Sequence, residues 1–168
     1  MLLDKRTITA LLNATPPLIE GAIDLAVQVQ PNGVDLTLRD VAAYASPGTI
    51  DFSNQKRVLS ETKLLSFEGD QLVLEPGSYL VTFNEVVNIP ADVAALGRPR
   101  STLLRCGAAL HTAVWDAGYS GRSQSLMTVY NPLGLTLKRN ARIMQLVFLR
   151  LEQAVIEGYA GRYQRENL

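Results

Sequence analysis

Apolar and polar residues alternate along most of this chain, which is the period expected of strands with one buried face. The alternation is clearest at 34–38, 79–83 and 143–151. Further strands are predicted from shorter apolar runs at 27–29, 72–74, 86–89, 126–130 and 133–137. Turn-forming Pro, Gly and Asn separate these runs at intervals of roughly 8–12 residues, a spacing typical of a sandwich or barrel. The pattern predicts a mainly β fold.

Two tight connections are predicted within this strand pattern. A Pro-Asn-Gly sequence at 31–33 separates the runs on either side of it. A Glu-Pro-Gly sequence at 75–77 lies between the runs at 72–74 and 79–83, and its proline and glycine favour a turn. We therefore expect each connection to join a hairpin-like pair of strands.

Helical spacing is confined to short segments. Apolar residues within 3–12 recur at near-helical intervals, and Pro16 prevents the helix from continuing. Residues 92–96 are predicted as a single helical turn. A further helix is predicted for Arg100–Arg105, with Gly107 as its C-terminal stop. The expected fold is thus a β domain with a short N-terminal helix and one or two more short helices.

The chain has the size and composition of one globular domain. Its 168 residues are 47% hydrophobic and 19% charged, and domains typically hold roughly 100–200 residues, so we expect a single domain over 1–168. Lys plus Arg and Asp plus Glu both number 16, giving a formal net charge of zero. This balance argues against a nucleic-acid-binding surface, which needs an excess of basic residues. Any anionic ligand must therefore be held by a local cluster.

The scarcity of cysteine and histidine excludes several chemistries. Cys106 and His111 are the only residues of their types, so the chain can form no internal disulfide. The same two residues cannot make a zinc site, which needs three or four such ligands. No window approaches the roughly 18 continuous apolar residues of a membrane span. A reducing compartment is the simpler interpretation, and we expect a soluble, cytoplasmic protein without a membrane partner.

Five segments combine glycine, proline and polar residues in ways that a plain sandwich does not need. In chain order they are Gln30–Leu36, Arg100–Arg105, Ala113–Gly121, Asn140–Leu146 and Gly161–Gln164. Each is weak by itself, whereas their order and spacing together are specific. They resemble the five motifs shared by trimeric dUTPases and dCTP deaminases, and the chain is most similar to the archaeal dUTPase group of the dCTP deaminase family. The resemblance covers nearly the whole chain.

This resemblance implies a distorted β-barrel or jelly-roll subunit, a homotrimer, and active sites at the subunit interfaces. It implies hydrolysis of dUTP to dUMP and diphosphate, with Mg²⁺ bound mainly through the substrate phosphates. Residues 158–168 would form a C-terminal lid over the active site. Asp35 matches the aspartate of the first motif and would support the metal through water, with no direct metal ligand from the protein.

The hydrolytic interpretation depends on Asp116. Attack between the α- and β-phosphates needs a carboxylate that orients and deprotonates a water molecule, and Asp116 matches the aspartate of the third motif. The alternative is a strand-end aspartate that caps a turn before Gly118. Tyr119 matches the aromatic residue that packs under the deoxyribose in this family, where a 2′-hydroxyl would clash. The alternative interpretation is that Tyr119 is an ordinary tyrosine of the hydrophobic core.

The resemblance also implies the remaining substrate contacts. Backbone groups between Leu110 and Val114, predicted as a hairpin, would read the pyrimidine edge, while the His111 side chain is interpreted as structural. The implied substrate-binding residues besides Tyr119 are Arg100, Ser101, Thr102, His111, Thr112, Ala113, Gln145, Arg162, Tyr163 and Gln164. The arginine, hydroxyl and amide groups among them would donate hydrogen bonds to the triphosphate.

One position separates hydrolysis from deamination. The metal-free deaminases of this family use a glutamate three residues before the asparagine that matches Asn131, and Thr128 stands there. A threonine hydroxyl does not titrate near neutrality and cannot shuttle protons as a carboxylate does. No carboxylate lies between Asp116 and Glu152, which disfavours deamination. Two alternatives stay open: a dCTP deaminase, alone or with added dUTPase activity, and a non-catalytic deoxynucleotide-binding protein.

Overall fold

The computed structural model describes residues 1–168 as a mainly β protein with three short helices. The helices are α1 (Lys5–Leu12), α2 (Leu25–Gln28) and α3 (Ser101–Arg105). The strands are β1 (Ile19–Glu20), β2 (Val29–Gln30), β3 (Gly33–Tyr44), β4 (Thr62–Leu64), β5 (Gln71–Leu74), β6 (Gly77–Phe83), β7 (Val86–Asn88), β8 (Val93–Pro99), β9 (Ala108–His111), β10 (Val114–Trp115), β11 (Ser120–Gly121), β12 (Gln124–Val129), β13 (Leu135–Lys138) and β14 (Arg142–Arg150). The predicted fold class is confirmed. None of the helices has the length and apolar character needed to cross a membrane.

The main sheet is antiparallel and curls into a half-barrel. Its strand order is β10-β8-β14-β3-β6-β12-β9, with β2 and β4 also paired to β3. The edge strands β9 and β10 are consecutive in the chain, and only Thr112 and Ala113 join them. Because three Cα steps reach at most about 11 Å, the two edges of the sheet must lie close together. Two small sheets, β1-β7-β11 and β13-β5, complete the fold.

One hydrophobic core of 28 buried residues fills the half-barrel. Strand β12 shows how the alternating sequence produces it, since Ser125, Met127 and Val129 are buried while the residues between them are more exposed. The central strand β3 differs, because every residue of 33–38 is buried. Both faces of β3 are therefore covered, and a charged residue on this strand must find its partners inside the protein.

The two predicted longer helices are confirmed, whereas the predicted helical turn at 92–96 and the predicted strand position of Val27 are wrong. Residues 92–96 form no helical turn; β8 begins at Val93, and Val93 and Ala95 are fully buried in it. The long pairing of β8 with β14 outweighs the local helical preference of this alanine-rich sequence. Val27 lies in the one-turn helix α2 and not in a strand, because the Asp24 side chain caps that turn by accepting a hydrogen bond from the Ala26 N–H.

One of the three predicted hairpins is confirmed, and two are wrong. The connection at 31–33 does join two paired strands, although β2 has only two residues. The run at 72–74 does not pair with 79–83, because β5 pairs with β13 whereas β6 pairs with β3 and β12. The proline and glycine at 76–77 lead the chain from one sheet into another. Residues 110–114 are also not a hairpin, since β9 and β10 occupy opposite edges of the main sheet.

Candidate active site

A cavity of 310 Å³ opens beside the connection between β9 and β10. That connection, the loop after β10 and the C-terminal tail, which we define as residues 158–168, all contribute to its wall. The lining residues are Ala113, Val114, Trp115, Asp116, Tyr119, Ser123, Gln124, Tyr159, Tyr163 and Glu166. Four predicted site residues are therefore brought together: Ala113, Asp116, Tyr119 and Tyr163.

Asp116 begins the turn that follows β10. A backbone hydrogen bond from the Tyr119 N–H to the Asp116 carbonyl, at 3.1 Å, closes this turn. Gly118 supplies the left-handed conformation that the turn requires (φ +84°). The carboxylate of Asp116 is not needed as a cap; it is exposed, lines the cavity and makes no hydrogen bond or ion pair. The turn-cap interpretation thus loses its support, and the carboxylate is free to bind a water molecule.

Tyr119 lies with its ring buried at the base of the same cavity. Its hydroxyl donates a hydrogen bond of 2.8 Å to Oε1 of Glu166, and its ring meets that of Tyr159 edge-on at 5.8 Å. Burial, together with the neighbouring Glu166 carboxyl, raises the pKa of the Tyr119 hydroxyl well above its ordinary value. Burial likewise raises the pKa of Glu166, although the hydrogen bond from Tyr119 opposes that shift. Tyr119 therefore stays a neutral hydrogen-bond donor in the cavity.

The tail is attached to the segment 118–122 of the same chain. The Gln164 amide accepts a hydrogen bond from the Ser120 N–H and donates one to the Gly118 carbonyl, both at 2.8 Å. Backbone bonds continue the contact, from Arg165 N–H to Ser120 and from Arg122 N–H to Glu166. Of the predicted tail residues, Tyr163 lines the cavity, Gln164 is engaged with the protein, and Arg162 is exposed outside the cavity.

The connection between β9 and β10 presents unpaired backbone groups. The N–H and C=O groups of Thr112 and Ala113 take part in none of the backbone hydrogen bonds. The Thr112 hydroxyl contacts the Gly97 carbonyl at 3.4 Å, which holds the connection against β8. His111 is exposed, and its Nε2 lies 3.4 Å from the Tyr130 hydroxyl. This segment therefore offers donors and acceptors of the kind predicted to read a base edge.

A second group of predicted residues surrounds a buried carboxylate on β3. Oδ2 of Asp35 lies 3.0 Å from Nε of Arg100 and 3.2 Å from Nη1 of Arg142. We call Asp35, Arg100 and Arg142 the arginine cluster. Burial raises the pKa of the Asp35 carboxyl, and both guanidinium groups oppose that shift. Gln145 lies directly opposite Asp35 in the β14–β3 pairing, and Ser101 follows Arg100 as the first residue of α3.

A single chain does not bring the two groups into one cavity. None of Arg100, Ser101, Thr102, Gln145 and Arg162 lines the cavity that contains Asp116. The prospective base and sugar contacts are therefore separate from the prospective phosphate contacts within one chain.

Sequence reasoning missed several residues of the site. Glu166 brings a second carboxylate to the cavity, and Arg142 shares Asp35 with Arg100. Glu166 lies outside the five motif segments, and Arg142 lies within the fourth without a predicted role, because both contacts depend on distant parts of the chain. Trp115 and Ser123 place a buried indole N–H and a buried hydroxyl at the cavity wall without a partner in the protein. Thr128 lies on the same face of β12 as the cavity-lining Gln124.

Comparison with known proteins identifies the family to which this chain belongs. The family model described as dCTP deaminase-like matches residues 2–151, and the chain belongs to this family. The predicted resemblance is thereby confirmed.

Relatives and a solved structure agree with this placement. A protein of Methanococcoides burtonii named probable deoxyuridine 5′-triphosphate nucleotidohydrolase is 52% identical over 168 residues, covering 99% of each chain. The deoxyuridine 5′-triphosphate nucleotidohydrolase of Methanocaldococcus jannaschii is 41% identical over 140 residues, covering 80% of this chain and 88% of that one. The crystal structure of the 2′-deoxycytidine 5′-triphosphate deaminase from Agrobacterium tumefaciens superposes with a TM-score of 0.63 and 26% identity, covering 87% of this chain and 47% of that one.

Proposed function

We propose that this protein is a dUTP diphosphatase, which hydrolyses dUTP to dUMP and diphosphate. The observation that carries the proposal is the Asp116 carboxylate, which is exposed in the cavity beside Tyr119 and has no partner. The relatives named as deoxyuridine 5′-triphosphate nucleotidohydrolases, at 52% and 41% identity, support the same substrate and reaction.

In the proposed reaction Asp116 accepts a proton from a water molecule while that water attacks the α-phosphorus. The bond between the α-phosphorus and the oxygen bridging to the β-phosphate breaks, and diphosphate leaves. Tyr119 would pack under the deoxyribose, and the unpaired backbone groups of Thr112 and Ala113 would pair with the pyrimidine edge. His111, beside them, would act through its backbone only.

The phosphate contacts favour a site built between subunits. Arg100, Ser101, Thr102 and Gln145 do not line the cavity of their own chain, so the triphosphate of a nucleotide bound there needs donors from elsewhere. A homotrimer in which the arginine cluster of one subunit meets the cavity of the next would supply them. Each interface would then complete one active site.

Magnesium fits this site as a partner of the phosphates. No three His, Cys, Asp or Glu side chains lie together as a metal site, and Mg²⁺ commonly binds substrate phosphates and water with one or two carboxylates at most. When bound, it would neutralise phosphate charge and stabilise the leaving diphosphate. Asp35 is the protein residue predicted to support it, through water.

The chain is proposed to act as one domain in which the tail is the lid of the active site. Tyr163 of the tail already lies at the cavity wall. Closure of the tail over a bound nucleotide would exclude bulk water from the reacting phosphate. Arg162, which is exposed, would then donate to the phosphates together with Gln164. We further propose a cytoplasmic location, as the lone cysteine suggests.

Deamination of dCTP is the second candidate, because the family also contains deaminases and because Glu166 brings a carboxyl group to the cavity. Glu166 accepts a hydrogen bond from Tyr119, which favours a role in attaching the tail. Thr128 occupies the position where the resemblance requires the deaminase glutamate. A non-catalytic nucleotide-binding protein is the third possibility.

A product assay tests the proposal. Purified protein with Mg²⁺ is given dUTP or dCTP, and diphosphate and ammonia are measured in parallel. Diphosphate from dUTP with dCTP nearly inert is the expected result. Rapid ammonia release from dCTP would establish a deaminase, and binding of dUTP without either product would establish a non-catalytic protein.

A further inference from the structure

The Asp35 carboxylate holds two guanidinium groups on a single oxygen. Its side chain is only 2% exposed, whereas those of Arg100 and Arg142 are 29% and 32% exposed. Both arginines therefore extend from a buried anchor toward the surface. Two positive charges against one negative charge leave the cluster with an excess positive charge, which suits an anionic ligand.

A β-bulge in β14 brings Arg142 to this position. Arg142 lies opposite Thr37 and Met144 lies opposite Leu36, so Ile143 is an extra residue in the pairing with β3. The carbonyl of Ile143 accepts the Arg100 N–H at 3.0 Å. The bulge thus fixes the start of α3 and directs Arg142 toward Asp35, two residues along β3 from Thr37.

Arg142 keeps donors for a ligand. Its Nη1 donates to the Val27 carbonyl at 3.0 Å and to Asp35 at 3.2 Å. The three N–H donors on Nε and Nη2 have no partner, and a guanidinium binds phosphate oxygens in a forked geometry. A purely structural ion pair would not need a partly exposed side chain with most of its donors free.

We propose that Arg142 is a second phosphate-binding guanidinium beside Arg100, and that Asp35 is a positioning residue for both arginines. The inference rests on the proposed function and assigns the pair to the β- and γ-phosphates, because the α-phosphate must lie near Asp116 in the cavity.

Binding measurements with Arg142→Gln test the first part. The probes are dUMP and a non-hydrolysable dUTP analogue with an imido bridge between the α- and β-phosphorus, titrated by calorimetry. Arg142→Gln should weaken analogue binding by about 10- to 100-fold, as expected for a charge-assisted hydrogen-bond pair, and should leave dUMP binding within about twofold. Arg142→Lys keeps the positive charge but cannot bind two phosphate oxygens in the forked geometry of a guanidinium. It should therefore weaken analogue binding less than Arg142→Gln does.

Arg139→Gln is the matched control, because Arg139 is a surface arginine near β14 that stacks over Phe67 at 4.4 Å. It should change neither affinity. Equal losses for Arg139→Gln and Arg142→Gln, or an equal loss of dUMP and analogue binding in Arg142→Gln, would overturn the assignment. Failure of the unaltered protein to hydrolyse dUTP, with this binding pattern intact, would refute the proposed function and leave the assignment of Arg142 standing.

Asp35→Asn tests the positioning role without measuring turnover. Analogue affinity is compared between this variant and the unaltered protein in excess Mg²⁺ and again in EDTA. If Asp35 positions the arginines, Asp35→Asn should weaken analogue binding by the same factor in both solutions. A loss confined to the Mg²⁺ solution would show that Asp35 acts through the metal and would overturn its assignment as a positioning residue.

Discussion

The hydrogen bond between Tyr119 and Glu166 should control how firmly the tail closes the cavity. Tyr119→Phe removes the hydroxyl that donates to Glu166 at 2.8 Å and keeps the ring that packs against Tyr159. A hydrogen bond to a charged group contributes roughly 1.5–3 kcal/mol. Since about 1.4 kcal/mol corresponds to a factor of ten, the docked fraction of the tail relative to its open fraction should fall by roughly 10- to 100-fold.

Limited trypsin cleavage after Arg165 measures this equilibrium. The Arg165 N–H is bonded to Ser120 in the docked tail, so the protease must wait for the tail to open, and the cleavage rate follows the open population. Cleavage after Lys56, an exposed residue remote from the tail in sequence, is the internal reference. We expect faster cleavage after Arg165 in Tyr119→Phe with an unchanged rate after Lys56.

The matched control is Tyr163→Phe, which deletes the same atom from a cavity tyrosine whose hydroxyl makes no hydrogen bond. Its tail cleavage should stay within about twofold of the unaltered protein, since no hydrogen bond is lost. Equal cleavage rates in Tyr119→Phe and the unaltered protein would show that this hydrogen bond does not hold the tail closed. Acceleration of cleavage at both sites would indicate global destabilisation instead of tail release.

Three further outcomes are expected. Burial raises the pKa of Glu166 above its ordinary 4.5, so the Glu166 carboxyl binds a proton more tightly when the tail is docked. Docking should therefore strengthen as pH falls from above the raised pKa toward 4.5, and then level off. Glu166→Gln should abolish this pH dependence of tail cleavage, and a retained dependence would show that another group causes it. Gly118→Ala places a Cβ at positive φ and 2.8 Å from the Gly158 Cα, so denaturant unfolding should show a loss of at least about 1–2 kcal/mol, and no loss would contradict the strain. Sedimentation should give a particle of three times the 18.4 kDa chain mass, and a fully active monomer would contradict sites built between subunits.

The features that could be predicted from the sequence are those encoded over a few residues. Alternation predicts most of the strands, and Asp116, Gly118 and Tyr119 lie close together because one tight turn holds them. The stretch 92–96 was misassigned because its helix-favouring residues form a strand only through pairing with β14. The partner of β5 could not be predicted for the same reason, since strand pairing depends on the whole sheet.

The long-range contacts of the site carry no local signal. Tyr119 and Glu166 are 47 residues apart, and Asp35 and Arg142 are 107 residues apart. Arg142 looks like an ordinary strand residue until the bulge at Ile143 turns it toward Asp35. The motif resemblance therefore predicts which segments form the site, whereas the contacts between them follow only from the curled sheet and the docked tail.

In the proposed reaction, Asp116 deprotonates the water molecule that attacks the α-phosphorus. Asp116→Asn keeps the size of this side chain and removes the base, and the turn that carries it should persist because its closing hydrogen bond is between backbone groups. The measurement is dUTP turnover alongside affinity for the imido analogue. Turnover should fall by a factor on the order of 100 or more with affinity retained; undiminished turnover in this variant would show that Asp116 is not the base.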